Sequence, residues 1–301
     1  NFSEVSGQDH VVRAIQNSLK QNKVHHALLF SGTRGIGKTT IARLFAKALN
    51  CLEGVSPEPC GKCANCISID EGNFMDLIEI DAASQRGIDD IKELTQNSQY
   101  TPTQGKYKVY LIDEAHQLSS QAQNAFLKIL EDTPQHVYFI LATTEPQKLL
   151  KTIRTRCTTF TVQGLNFNES KTLIDIVSQK EETKFEEEVI ENLIKLGEGS
   201  ARQILVLMDS IISIDDPEEQ LQLLFKSDTK REAIEICRAL FKPKPIWGEV
   251  AAVLKSVTEE PESLRWLILS YANSILLKQK NKNGKSIRAY EVIDSFKSNF
   301  Y

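Results

Sequence analysis

One run of residues constrains this chain more than any other. Residues 32–39 read Gly-Thr-Arg-Gly-Ile-Gly-Lys-Thr, the Gly-x-x-x-x-Gly-Lys-Thr pattern of a nucleotide phosphate loop. The setting gives the short motif its weight. The residues before it, His26-Ala27-Leu28-Leu29-Phe30-Ser31, form an apolar run of strand length. Those after it have helical spacing, with apolar residues at 41, 44, 45, 48 and 49. A glycine-rich turn that leaves a strand and opens a helix aims backbone N–H groups at an anion, and the helix dipole adds to the pull. The expected nucleotide contacts are Gly32, Thr33, Arg34, Gly35, Ile36, Gly37 and Thr40 along the loop, with Lys38 reaching the β- and γ-phosphates of ATP and the Thr39 hydroxyl holding Mg²⁺.

The four-cysteine cluster is the second constraint. Cys51, Cys60, Cys63 and Cys66 stand in a loop that also carries Pro57, Pro59 and Gly61. A Cys-x-x-Cys-x-x-Cys run brings its thiolates to face one point, and a fourth nearby closes a tetrahedron around Zn²⁺. Four protein ligands leave no open position, so the expected role is structural. An iron–sulfur cluster or unmetallated thiols would also use four cysteines. A disulfide framework fits poorly, since no secretory signal is visible and an ATPase belongs in a reducing compartment.

Composition sets the outer bounds. With 301 residues, 41% hydrophobic and 25% charged, the chain has the make-up of a globular protein of two or three domains. A net charge of -4 excludes a wholly basic nucleic-acid binder, so any DNA contact comes from a local patch or from partner subunits. The apolar stretch 264–277 is too short for a membrane span and carries Arg265 and Asn273. The start at Asn1, without methionine, predicts further native residues ahead of it.

Strand-like and helix-like stretches alternate up to residue 163, which predicts an α/β domain, 1–163, built on a five-stranded parallel sheet with helices on both faces. The strand candidates are the run before the loop, Leu77–Asp81, Val109–Glu114, Val137–Ala142 and Thr158–Val162, with the cysteine module at 51–66 inserted between the first helix and the second strand. Beyond Leu165 the signals are helical. Asn168-Glu169-Ser170, Phe185–Leu196 and Ser200–Ile212 make a small helical lid over 164–213, broken at Gly197 and Gly199. Residues 214–301 read as a further helical domain after Asp215-Asp216-Pro217, with Leu264, Leu267, Ile268, Tyr271, Ile275 and Lys278 on one stripe.

Two acids close the strand Leu111-Ile112-Asp113-Glu114. Asp113 is expected to hold Mg²⁺ through its water shell, and Glu114 to polarise the attacking water. Strand 137–142 should run between the phosphate-loop strand and the acidic strand. That would bring Thr143 beside the acids, where it would orient the water or the γ-phosphate.

Taken together, Phe2–Gln8, His25-His26-Ala27, Ser31–Thr40, the four-cysteine loop, Asp76–Ser84, Val109–His116, Leu141–Lys148 and Thr155-Arg156-Cys157 resemble the gamma/tau subunits of the bacterial DNA polymerase III clamp loader, which are AAA+ ATPases. The resemblance covers residues 1 to about 212. It implies an AAA+ fold with a zinc-binding insertion, a lid and a C-terminal collar. It also implies roles that spacing does not give. Thr143 would be sensor 1. Arg156 would be a finger acting on ATP held by a neighbouring subunit, in a motif where Thr155 stands for the family's serine. Arg202 would be sensor 2. Ser84, Arg86, Ser120 and Gln121, near helix N-termini, would contact DNA phosphates without reading sequence; as plain helix caps these turns need no DNA.

The partners implied are other loader subunits in a homo- or hetero-oligomeric ring of five, a sliding clamp, primer-template DNA and a DNA polymerase, in the cytoplasm of a bacterium or a phage-infected host. Residues 214–301 do not share the resemblance, and Lys242–Trp247 and Lys278–Lys285 are unfamiliar. An AAA+ module of the same ancestry working in recombination, repair or phage defence is the alternative. The presence of Lys38, Asp113 and Glu114 argues against a non-hydrolysing structural subunit.

Overall fold

The computed structural model describes residues 1–214 and 216–224, the helix 284–296, and positions 236, 237, 240, 265, 266, 268, 269, 271–273 and 276. The chain forms two compact units, Asn1–Asp209 and Ser210–Tyr301.

The first unit is built on five parallel strands: β1 (Ala27–Ser31), β2 (Leu77–Asp81), β3 (Lys108–Asp113), β4 (Val137–Thr143) and β5 (Thr158–Thr161). Their order is β2-β3-β4-β1-β5, so β4 lies between the phosphate-loop strand and the acidic strand. Leu29 pairs with Leu141 and Ile112 with Leu141 in register, which brings the ends of β1, β3 and β4 to one edge of the sheet.

The central strands are apolar throughout because both their faces are covered. One face carries Leu28, Phe30, Val109, Leu111, Tyr138 and Ile140, packed on α1 (Asp9–Lys20) and α2 (Lys38–Asn50) through Val11, Ile15, Ile41 and Phe45. The other carries Leu29, Tyr110, Ile112, Phe139 and Leu141. These pack on α4 (Ile88–Ser98), α5 (Ser120–Glu131) and α6 (Lys151–Arg156) through Ile91, Leu94, Phe126, Ile129 and Ile153. Phe126 meets Phe139 edge-on at 5.2 Å. Removing either fully buried ring would cost about 3–5 kcal/mol. The edge strands β2 and β5 are partly exposed, which their mixed polar sequences anticipate.

Between α2 and β2 runs the cysteine module, and Cys66 lies in the first turn of α3 (Ala64–Glu71) rather than in a loop. The module is bolted to α2. Lys47 Nζ meets Asp70 at 2.5 Å, and Asn65 donates to the Asn50 carbonyl at 2.9 Å. Asp76, at the entrance to β2, accepts the backbone N–H groups of Thr103, Gln104 and Gly105 and so fixes the approach to β3.

After β5 come α7 (Phe167–Lys180), α8 (Glu187–Gly197) and α9 (Ala201–Ile211). α7 starts in a capping box, Asn166 accepting from the Glu169 N–H and Glu169 from the Asn166 N–H. In the second unit, α10 (Pro217–Leu224) opens with proline at its first position. Ile236, Cys237, Ile268, Ala272 and Val292 form a separate core there, with Tyr271 packed against it. Of the expected stripe, Leu264, Leu267, Ile275 and Lys278 lie outside the described residues, as do 242–247 and 278–283.

Candidate nucleotide site and thiol cluster

The loop from β1 to α2 turns through left-handed backbone at Gly35 and Gly37, with φ +80° and +100°. A side chain at Gly35 is disfavoured twice over, since a Cβ there would also meet Ser200 Oγ at 2.3 Å. The first N–H groups of α2 have no helical acceptor and face the turn. Gly32 spends its N–H on the Thr143 carbonyl at 3.1 Å, and Ile36 buries its side chain in the core. These two positions shape the loop. Arg34, Gly35, Gly37, Lys38, Thr39 and Thr40 line the cleft itself.

The cleft has a volume of about 1100 Å³ and lies past the C-terminal ends of β1, β3 and β4, where open α/β sheets hold ligands. Lys38, only 6% exposed, points its ammonium at the carbonyls of Gly32 and Thr33 at 2.8 and 2.7 Å. Burial holds its pKa below the ordinary lysine value, opposed by Glu114 and Asp113 and reinforced by Arg202. Thr39 Oγ1 donates to Asp113 Oδ2 at 3.1 Å. That juxtaposition of a hydroxyl and a carboxylate beside a lysine is the oxygen donor set that suits Mg²⁺.

Glu114 has φ +46°, ψ 42°, a left-handed conformation that costs a non-glycine residue energy and tends to mark functional positions. Its N–H donates to Asp113 Oδ1 at 2.8 Å, and Thr144 Oγ1 donates to its Oε2 at 3.2 Å. Here the structure departs from the sequence reading. Thr143 is fully buried, its hydroxyl within 3.0 Å of His116 Nδ1, and Thr144 is the threonine that lines the cleft. The physical reason is strand alternation: the last residue of β4 points into the protein and the next one points out.

Arg202 reaches the cleft from the first turn of α9, and its N–H donates to the Gly35 carbonyl at 3.0 Å. Leu205, Val206 and Asp209 of the same helix also line the cleft. Arg156 is not among the lining residues. It ends α6, pairs with Glu131 of α5, and donates to the Thr152 carbonyl at 3.2 Å. Asp81, His116 and Gln117 line the cleft without having been singled out. For Asp81 the signal was available, because it closes β2 as Asp113 closes β3. His116 is brought in by a single 3-10 turn, Ala115–Gln117, which no periodicity announces.

The two expected DNA-facing turns are neighbours: the Ser119 N–H donates to the Arg86 carbonyl at 3.2 Å. Ser84, Arg86, Ser120 and Gln121 are all exposed. Ser84 Oγ and Arg86 Nε donate to the carbonyls of Asp81 and Ala83, which shape the turn, and the cap of α5 is Ser119 rather than Ser120.

Cys51, Cys60, Cys63 and Cys66 hold their Sγ atoms within 4.8 Å of one another. Thiolates bound at about 2.3 Å to one tetrahedral zinc sit ~3.8 Å apart, and Cys60 Sγ and Cys66 Sγ are separated by 3.9 Å. No cysteine is in a disulfide. The N–H of Cys60 donates to Cys51 Sγ and that of Cys63 to Cys60 Sγ, bonds that favour thiolates. Burial raises the Cys51 and Cys66 thiols. At Cys63 burial also raises the pKa, but backbone bonds from Leu52 and Cys66 outweigh it and bring the value down to about 6. The donor set fits a single zinc ion.

A family described as "DNA polymerase III, delta subunit" matches residues 7–166. The tau/gamma subunit of DNA polymerase III from Haemophilus influenzae is 52% identical over 216 residues, 71% of this chain and 31% of that protein. The tau subunit from Escherichia coli is 47% identical over 221 residues, 73% of this chain and 34% of its own. A gamma subunit from Buchnera aphidicola is 46% identical over 213 residues, 71% of this chain and 58% of its own. The chain thus spans between about a third and three fifths of these relatives. Among solved structures, Thermotoga maritima RuvB superposes with a TM-score of 0.56 at 16% identity, covering 88% of this chain and 90% of that one. That likeness is one of fold, the AAA+ ATPase fold. The chain belongs to the DNA polymerase III delta-subunit family and is homologous to the tau/gamma subunits of that polymerase.

Proposed function

We propose that this chain is the ATP-hydrolysing motor of a DNA sliding-clamp loader, which opens a clamp and loads it on primer-template DNA during replication. The observation that carries the reading is the convergence of Lys38, Thr39, Asp113 and Glu114 on one cleft, with Thr39 Oγ1 and Asp113 Oδ2 3.1 Å apart. The homology to tau/gamma subunits supplies the setting.

In this reading the loop N–H groups and Lys38 bind the β- and γ-phosphates of ATP. Thr39 and Asp113 hold Mg²⁺, which neutralises phosphate charge when bound. Glu114 takes up the proton of the attacking water, and Thr144 orients the Glu114 carboxylate. Arg202 binds the nucleotide from the lid, in cis. Arg156 serves the ATP of the neighbouring subunit; its position away from its own cleft supports that assignment. Zinc held by Cys51, Cys60, Cys63 and Cys66 is structural. Ser84, Arg86, Ser120 and Gln121 meet DNA phosphates.

We divide the chain into a nucleotide-binding domain at 1–163, a lid at 164–213 and a helical collar at 214–301 through which subunits join in a ring. Among the described residues no helix is long and apolar enough to cross a membrane, and we place the work of the protein in the cytoplasm with its clamp, polymerase and partner subunits. The deciding experiment is ATP-dependent capture of a sliding clamp by the protein, paired with an ATPase assay of Glu114→Gln. Clamp capture with ATP and a turnover lost in the variant supports the reading; clamp indifference or undiminished turnover overturns it.

A further inference from the structure

Among the cleft residues that the reading above leaves without a role, His116 is the one in contact with Glu114. The His116 side chain is 4% exposed, and both its nitrogens are engaged. Nδ1 lies 3.0 Å from Thr143 Oγ1 and 3.4 Å from Glu114 Oε2. Nε2 lies 3.0 Å from the Gln117 side-chain amide and 3.4 Å from Glu145 Oε1. Thr143 Oγ1 in turn accepts the Glu145 N–H at 3.1 Å, and Glu145 is paired with Lys148 at 2.8 Å. The ring therefore sits between Glu114, which follows β3, and the end of β4 with the turn after it, which supply Thr143 and Glu145.

Glu114 needs such a support. Its left-handed backbone is a strained conformation, held only if the surroundings over-determine it. Two side-chain groups come to the same carboxylate oxygen, Oε2: Thr144 Oγ1 donates to it at 3.2 Å, and His116 Nδ1, hydrogen-bonded to Thr143 Oγ1, lies 3.4 Å from it. Fixing one oxygen leaves the other to a water, and fixing it from two directions sets the plane of the carboxylate. Thr143 is buried under the ring and makes no direct approach to the cleft, yet through His116 it bears on the same carboxylate.

We propose that His116 is a positioning residue for hydrolysis: its Nδ1 holds Glu114 Oε2 in line, anchored from behind by the Thr143 hydroxyl, so that the geometry of the water-polarising carboxylate follows the turn after β4. The inference rests on the reading of the cleft as an ATPase site. The bland alternative is a buried histidine that merely satisfies Thr143, and the two differ in what they do to kcat.

The test compares His116→Ala, His116→Asn and His116→Gln with wild type in the full protein assembled with its partner subunits, measuring both kcat for ATP and the Kd for ATP. The asparagine amide takes the place of Nδ1, and the glutamine amide that of Nε2. His116→Ala should lower kcat about 10- to 100-fold while Kd stays within about twofold, the signature of a misplaced catalytic group. His116→Asn should restore most of the loss and His116→Gln should not. Wild-type kcat in His116→Ala overturns the proposal, as does equal rescue by Gln and Asn, or a loss of ATP binding that tracks kcat in all three. Glu114→Gln serves as the control. If it hydrolyses ATP normally, the ATPase reading itself fails; if it is inactive while His116→Ala turns over at the wild-type rate, only this inference fails.

Discussion

The N–H of Arg202 donates to the carbonyl of Gly35 at 3.0 Å, so the first turn of α9 is hydrogen-bonded to the middle of the glycine-rich loop. Helix α9 thus meets the glycine-rich loop through backbone, and its Arg202 side chain also lines the cleft. That backbone contact does not depend on which side chain stands at 202.

That contact makes Gly35→Ala informative. The position has φ +80°, and a methyl there meets Ser200 Oγ at 2.3 Å and Arg202 Cβ at 3.2 Å. The left-handed backbone alone costs an L-residue about 1–2 kcal/mol. The expected outcome is a Kd for ATP weakened on the order of tenfold, with the metal content unchanged. Arg202→Ala separates the two parts of the contact, since it keeps the backbone bond and removes the guanidinium. Nucleotide titration should show weaker ATP binding with little change in melting temperature, and unaltered affinity would remove Arg202 from the site.

Lys38 and Glu114 should fail in different ways. Lys38→Ala removes the ammonium at the floor of the loop, and ATP binding should go with it. Glu114→Gln keeps the charge partners of the nucleotide and loses the base. It should therefore bind ATP as wild type does and hydrolyse it at least 10²-fold more slowly. Filter binding and phosphate release on the same samples distinguish the two.

The thiol cluster predicts one zinc per chain by elemental analysis. Cys63→Ser should lower the melting temperature more than it alters ATP turnover. The coupling between them runs along α2, whose N-terminus is the phosphate loop and whose C-terminus carries Lys47, Asn50 and Cys51. A reduced, metal-free protein with an unchanged melting temperature would contradict the structural role.

What was legible in the sequence was what is local or periodic. The loop 32–39 could be read because its chemistry is contiguous, and the buried strands because a run such as 109–112 is apolar without interruption. Of the strand order, only the place of β4 between β1 and β3 was expected; the places of β2 and β5 came from the structure. Thr143 and Thr144 are adjacent and alike, and only the point at which β4 ends decides which one lines the cleft and donates to Glu114. His116 was invisible because a 3-10 turn reaches it, and Glu131 because its meaning lies in a pairing with Arg156 across 25 residues.

That pairing shapes the last prediction. Arg156 is bound to Glu131 and to the Thr152 carbonyl and lies outside its own cleft. If it acts on the nucleotide of a neighbouring subunit, it must exchange Glu131 for a phosphate when the interface closes. Arg156→Ala should then leave ATP binding by the isolated chain nearly intact, yet cut hydrolysis by the assembled ring by a factor on the order of 10³. Glu131→Gln removes the competing charge without touching the guanidinium. The pair is half-exposed, so its release changes stability by less than about 1 kcal/mol. Hydrolysis in the Glu131→Gln ring should be undiminished. Mixing provides a further check: a subunit lacking Lys38 but keeping Arg156 should restore turnover to a neighbour that lacks only Arg156. Sliding clamp and primed DNA should stimulate the wild-type ring and barely stimulate the Arg156→Ala ring, because closing the interface is what completes the site. An Arg156→Ala ring that responds to clamp and DNA as wild type does would reduce Arg156 to the surface ion pair it makes with Glu131.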